Sequence, residues 1–239
     1  VRDPGAGLKM LGEFLEISLA TPDMLRSLEF YRKLGFTAAP ASDGRPHPYA
    51  VFTDGRLYLG LHQRGDEVHG LSFVLPELRR HVEGFEALGL EFVLRDIGPH
   101  QFNQLGFRDP DGNRVSVVEA RTYSPVHAAH VESTLCGYFL EYRLPVDDVK
   151  ASARFWESLG LIVENGENGD SAQASWGGIN LGLTRAGRRA RPTLVFASPN
   201  LDAAHALLEM RGLEPHNETG AIRVATPEGL DLLLQAEDN

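Results

Sequence analysis

The sequence predicts an α+β protein built from four βαβββ modules, and three observations carry that expectation. First, the chain repeats itself. Phe14-Leu15-Glu16-Ile17-Ser18-Leu19 is answered by Phe139-Leu140-Glu141-Tyr142-Arg143-Leu144. The spacing is constant across later landmarks: 16 to 141, 23 to 148, 30 to 155 and 35 to 160 are all 125 positions apart. Self-similarity at a fixed offset marks an internal duplication. Second, four helical patterns each stop at a glycine, at Gly35, Gly89, Gly160 and Gly212. A left-handed C-cap needs positive φ, which glycine adopts without a Cβ clash. Third, each module closes with a Gly-bearing hairpin turn: Thr53-Asp54-Gly55, Asp109-Pro110-Asp111-Gly112, Trp176-Gly177-Gly178 and Thr226-Pro227-Glu228-Gly229. Such turns between β-rich runs are strong hairpin signals.

In chain order, the first strand alternates Leu15, Ile17 and Leu19 against Glu16, Ser18 and Ala20. The apolar set packs on helices, so Glu16 points to the opposite sheet face. A carboxylate there borders water, a ligand or a metal, because burying it unpaired is costly. The first helix follows the acidic turn at Asp23, and its later copy follows Asp148. Tyr31 and Trp156 are expected in the core. The second helix is expected over about 76–89, with Leu78, Val82, Phe85 and Leu88 on one side. The fourth is expected over about 200–212, with Leu201, Ala204, Leu208 and Met210 on one side. In the last strand of module two, Arg114, Ser116 and Val118 alternate with Val115, Val117 and Glu119. The modules run over about 14–63, 69–120, 138–184 and 192–236. These give an N-terminal domain over 1–121, a Ser-, Pro- and His-rich linker over 122–137, and a C-terminal domain over 138–239.

Composition narrows the function classes. The 239 residues are 42% hydrophobic and 23% charged, as in ordinary globular proteins. A formal charge of −10 argues against general nucleic-acid binding, which requires a basic face. One basic stretch, 185–191, reads either as a solvated loop or as an anion contact. No apolar run is long enough to span a bilayer. The N-terminus lacks a signal-peptide core. The single cysteine, Cys136, excludes an intramolecular disulfide and a Cys-rich zinc site. A cytoplasmic location is the expectation. No nucleophile elbow, phosphate loop or Cys-x-x-Cys pair is present, and Gly177-Gly178 belongs to a hairpin.

The run from Glu16 to Phe36, with Asp23, Ser27, Phe30-Tyr31 and Leu34-Gly35-Phe36, resembles the first strand and helix of the vicinal oxygen chelate superfamily. That superfamily includes glyoxalase I, bleomycin-resistance proteins and extradiol ring-cleaving dioxygenases. Phe107-Arg108-Asp109-Pro110-Asp111-Gly112-Asn113 is similar to the family's signature before its last strand. The resemblance implies two tandem glyoxalase/dioxygenase-like domains, each pairing two modules around a cavity. Its metal enzymes take ligands from the first and last strands of paired modules. Carried over, these positions fall on Glu16, Gly60, His69 and Ser116. Glu16 stands where His or Gln is usual, and Ser116 where Glu is usual. His62 lies two residues beyond Gly60 on the same face and completes a Glu-His-His set. Two His and one carboxylate suit non-haem iron or zinc.

In the second half Glu141 repeats Glu16, whereas Gly182, Pro192 and Leu233 occupy the other positions. A divalent metal (Zn, Fe, Ni or Mn) is therefore expected in the N-terminal domain and none in the C-terminal one. Such a metal would chelate neighbouring substrate oxygens as a Lewis acid. Ser116, Tyr49, His47 and His100 are the candidate substrate contacts. Each has a plainer alternative: Glu16 as a hydrogen-bonded floor residue, His62 as a solvent-facing strand end, His69 as a strand cap. His47 and Tyr49 can belong to a rigid Pro-rich turn, and Trp176 can stack on a flat ligand or pack its own turn. The expected function is action on a small oxygen-rich or aromatic molecule, as a metal-dependent lyase or ring-cleaving dioxygenase. The alternative is metal-free sequestration of the bleomycin-resistance type. The expected partner is a small molecule, and the chain a monomer or homodimer.

Overall fold

The structure is a computed structural model that describes residues 10–41, 45, 47–64, 69–123, 134–187 and 190–237. Module one contains β1 (Glu13–Ala20), α1 (Met24–Lys33), β2 (Thr37–Ala39), β3 (Tyr49–Thr53) and β4 (Tyr58–His62). Module two contains β5 (Gly70–Val74), α2 (Val82–Ala87), β6 (Phe92–Asp96), β7 (Gln104–Arg108) and β8 (Arg114–Val118). Module three contains β9 (Tyr138–Val146), α3 (Val149–Ser158), β10 (Ile162–Asn165), β11 (Ser171–Trp176) and β12 (Ile179–Arg185). Module four contains β13 (Thr193–Ser198), α4 (Leu201–Met210), β14 (His216–Glu218), β15 (Ala221–Ala225) and β16 (Asp231–Ala236).

The four modules form two tandem domains, each with one mixed eight-stranded sheet. The strand orders are β2-β3-β4-β1-β5-β8-β7-β6 and β10-β11-β12-β9-β13-β16-β15-β14. In the second half of each sheet, β5 runs parallel to β8 and β13 to β16, and the hairpin strands pair antiparallel. The expected linker falls largely on 124–133, outside the described residues. So do residues 188 and 189 of the basic stretch. Among the described residues, no helix is long and apolar enough to cross a membrane.

Local sequence explains most of the elements. Asp23 accepts from the Arg26 amide at 3.1 Å and caps α1. Asp148 caps α3 through the Lys150 and Ala151 amides, and Asn200 caps α4 through the Ala203 amide. Leu15, Ile17 and Leu19 are fully buried on β1, as are Tyr31 and Trp156 on their helices. The second helix departs from expectation. A short 3-10 turn over Leu78–Arg80 precedes α2, which is only six residues long. Glu77 sits at φ 55 and no side chain caps either segment. Leu88 is exposed. Met210 is also exposed: two residues past buried Leu208 it turns to the far side of α4.

Two compact units organise the chain. One comprises Val1–Ile17, Val68–Arg121 and Val146–Arg185, and so joins module two to module three. The other comprises Ser18–Glu67, Thr122–Pro145 and Ala186–Asn239, and joins module one to module four. Matching turns clasp a helix in each. In the first unit Asp111 accepts from the Asp147 amide and from the Ser152 hydroxyl of α3. In the second unit Glu228, at the same place in its turn, accepts from the Tyr31 hydroxyl of α1 at 3.2 Å. The Trp176 indole N–H donates to the Gly12 carbonyl at 2.8 Å and so ties its hairpin turn to the segment before β1.

The duplication extends to a close backbone approach. Gly12 and Gly137, again 125 positions apart, have φ values of 77° and 85°. A Cβ on Gly12 would lie 2.1 Å from the Val74 carbonyl oxygen, and one on Gly137 2.2 Å from that of Ala197. Gly89 has φ 72° but open space where a Cβ would stand. Chemical denaturation should therefore separate backbone strain from collision. Gly89→Ala should cost about 1 kcal/mol and Gly137→Ala clearly more, on the order of 3 kcal/mol. Equal losses would contradict the close approach.

The β7–β8 turn adds a pH dependence. Asp109 is buried, and its carboxylate accepts from the Asp111 and Asn113 amides and from the Asn113 side chain. Burial pushes its carboxyl up from 3.8 to about 6, against the lowering effect of those hydrogen bonds. The folded chain thus holds this proton more tightly than the unfolded chain. The group's contribution to stability is full below pH 3.8 and is lost as pH rises through about 6. The span amounts to at most about 3 kcal/mol. Asp109→Asn should remove this component from the stability-versus-pH curve measured by denaturant unfolding.

Candidate functional site

The β3–β4 hairpin places two of the sequence-derived residues directly opposite each other, Tyr49 against His62. Their rings are 4.7 Å apart and tilted by 35°. His47 joins them from the segment entering β3, with its Nε2 2.9 Å from Nδ1 of His62. Arg64, just past β4, brings its Nε within 3.1 Å of the His47 Nδ1 and 3.0 Å of its Nε2. Arg64 Nε–H donates to the His47 ring, and the direction of the His47 Nε2–His62 Nδ1 bond follows the tautomers of the two rings. His62 is only 7% exposed, so it is not a solvent-facing strand end.

Arg45 completes the group. Its guanidinium carbon lies 5.2 Å from the centre of the Tyr49 ring, a cation–π arrangement. Among the described residues, its buried Nε and Nη2 have no acceptor. The Tyr49 hydroxyl is 3.3 Å from the Thr122 hydroxyl. All these residues belong to the unit that joins modules one and four.

The remaining candidates belong to the other unit. Glu16 is fully buried at the centre of β1, between buried Leu15 and Ile17, so this strand is covered on both faces. His69 immediately precedes β5, and its carbonyl accepts from the Arg114 amide at 3.1 Å. Ser116 pairs with Ser72 in the β5–β8 ladder and accepts from Arg114 Nε at 3.3 Å. His100 is exposed in the β6–β7 connection. Asn103 anchors that connection: its Oδ1 accepts from the Gly98 amide at 2.7 Å, and its Nδ2 donates to Glu119 at 2.8 Å.

A divalent ion takes three or four protein donors. Among the described residues, no group of three or more His, Cys, Asp or Glu side chains is placed to hold one. Glu16 and His69 belong to one unit and His62 to the other, and Nδ1 of His62 is bonded to His47.

The second half diverges at the same places. Glu141 accepts from Arg143 Nε at 2.8 Å and lies 2.7 Å from its Nη2. Sheet register aligns the hairpins: Val51 faces Gly60 in one, and Gln173 faces Gly182 in the other. Two residues further out, Tyr49 and His62 are replaced by Ser171 and Thr184. The cluster is a property of the first half.

Sequence reasoning missed Arg45, Arg64 and Thr122 as members. A signal for Arg45 was present. In Arg45-Pro46-His47-Pro48-Tyr49, prolines at alternate positions favour extended backbone, which puts the other three side chains on one side. Arg64 and Thr122 carry no local signal. Elsewhere in this unit, an open groove of about 390 Å³ lies beside α1 and β15. None of the candidate residues lines it, and its charges are mixed, with Arg26 and Lys33 beside Glu29 and Glu214.

Comparison with known proteins agrees with the fold. Residues 13–117 match the model of the Glyoxalase/Bleomycin resistance protein/Dioxygenase superfamily. No curated protein matches the sequence. Among solved structures, a catechol 2,3-dioxygenase is similar at TM-score 0.63 and 16% identity, over 96% of this chain and 89% of that one. The 2,3-dioxygenase LapB from Pseudomonas sp. KL28 is similar at 0.66 and 12%, over 96% and 94%. A variant of homoprotocatechuate 2,3-dioxygenase from B. fuscum, in complex with HPCA, is similar at 0.66 and 16%, over 100% and 74%. At such identities the likeness is one of fold.

Asn103 gives this region a direct test. Asn103→Ala leaves the Gly98 amide and the Glu119 carboxylate without their partner, which should cost about 1–3 kcal/mol. Amide hydrogen exchange should quicken over residues 97–103, while exchange in β3 and β4 stays unchanged.

Proposed function

We propose that this chain, whose residues 13–117 belong to the Glyoxalase/Bleomycin resistance protein/Dioxygenase superfamily, binds a small oxygen-rich or aromatic molecule in its first half. Contacts come from His62, His47 and Tyr49, with Ser116 and His100 as further contacts. The observation that carries this reading is the hydrogen-bonded His47–His62 pair stacked on Tyr49. It brings stacked aromatic rings and hydrogen-bonding imidazoles together, groups of the kind that suit a flat, oxygen-bearing ligand. Recognition of this kind needs no metal and suits sequestration as much as turnover. The same proposal takes 1–121 and 138–239 as the two duplicated domains joined by 122–137, in a cytoplasmic monomer or homodimer that binds no nucleic acid.

A second reading keeps the metal enzyme, a lyase or ring-cleaving dioxygenase with Glu16, His69 and His62 as ligands to Zn, Fe, Ni or Mn. Its support is the fully buried Glu16 carboxylate on the strand that resembles the family's ligand strand. Elemental analysis of protein purified without chelator separates the two. The metal-free reading expects far less than one metal per chain even after reconstitution. Near-stoichiometric metal that disappears in Glu16→Ala would overturn it.

A further inference from the structure

We infer that the groove beside α1 and β15 is a second binding site, which takes a small dipolar molecule: a carboxylate at one end, an ammonium at the other and an apolar body between them. It is separate from the proposed hairpin site, and none of the residues proposed there lines it.

The duplication shows what opens the groove. Helices α1 and α3 correspond at an offset of 125, so Phe30 is the counterpart of Phe155. The turns after β7 and β15 correspond at an offset of 117, so Val224 is the counterpart of Phe107. In the first unit the Phe107 and Phe155 rings meet edge to face, with centres 6.4 Å apart. In the second unit Phe30 and Val224 stand at the same places, and both line the open space of about 390 Å³. Valine does not reach as far as phenylalanine, so a place that is filled in one unit is left open in the other. The volume falls in the range of small-molecule sites.

The charges of the groove are sorted along α1. Arg26 and Lys33 lie at opposite ends of the helix, about 10 Å apart along its axis. Lys33 is paired with Glu29 at 3.0 Å. The Arg26 guanidinium meets no partner among the described residues. At the other end, Arg211 Nη1 reaches the Lys33 carbonyl at 3.5 Å, which puts the residues after α4 beside the C-terminal end of α1. Glu214 lines the groove there, and its carboxylate also meets no partner among the described residues. His216 lies two residues further on and is exposed. Phe30, Leu213, Val224 and Pro227 supply the apolar part of the lining. A ligand with one negative charge answers Arg26 but is repelled by Glu214, and one with a single positive charge meets the reverse. A molecule that carries both charges is complementary to both ends.

The experiment is calorimetric titration of the full chain with three probes: 6-aminohexanoate, hexanoate and hexylamine. They share an alkyl chain and differ in the charged ends. 6-Aminohexanoate should bind at least about tenfold more tightly than either of the others. Arg26→Gln should lower it to about the affinity of hexylamine, and Glu214→Gln to about that of hexanoate. Val224→Phe, which copies the filled place of the other unit, should abolish binding of all three. Thermal melting checks that each variant is folded. Arg26 and Glu214 are exposed, so their variants still decide if Val224→Phe does not fold. No binding of 6-aminohexanoate, or affinity no higher than that of the singly charged probes, would overturn the inference. So would binding that is unchanged in folded Val224→Phe or in both charge variants.

Discussion

Among the described residues, the Arg45 guanidinium has two buried N–H groups without an acceptor, and its neighbours pack around it. Removing a charged donor from water without an acceptor is costly, by an amount of the order of a kcal/mol or more for each group. Chains rarely keep such a residue unless something offsets the cost. Here the Tyr49 face offsets part of it, and Tyr49 is itself braced by His62 and Thr122. The His47–His62 pair and Arg64 extend the same network along the hairpin. Each member contacts the next along the hairpin.

Duplication supplied the scaffold and divergence supplied the site. The two halves keep the features that folding needs: capping aspartates at 23 and 148, close-approach glycines at 12 and 137, and acidic turns that clasp a helix. They part where chemistry is at stake. Glu141 is met by Arg143 in its own strand, whereas the corresponding position beside Glu16 is Ser18. Glu16 is completely buried, so the repeated glutamate has two environments. The first-half cluster, in turn, has small hydroxyls in its place in the second half.

Legibility in the sequence followed the range of the interactions. Repeats, strand alternation, caps and hairpin turns are local, and they yielded four modules and the burial of Leu15, Ile17, Tyr31 and Trp156. The second helix failed because its apolar spacing ignored Glu77 in left-handed conformation and the missing cap. The site was half legible. His47, Tyr49 and His62 stood out as chemistry-bearing residues, but the ladder register that opposes Tyr49 to His62 is a long-range fact. So is the approach of Arg64 to His47. Glu16 and His69 stand at positions of the resembled pattern, with His62 two residues past a third, yet a pattern does not bring side chains together, and among the described residues no three-donor group forms.

The most direct measurement is a crystal structure of the full chain with catechol bound. The account predicts the ring beside Tyr49 and His62, in the first half of the chain. Catechol bound away from these residues, or no binding at all, would contradict it.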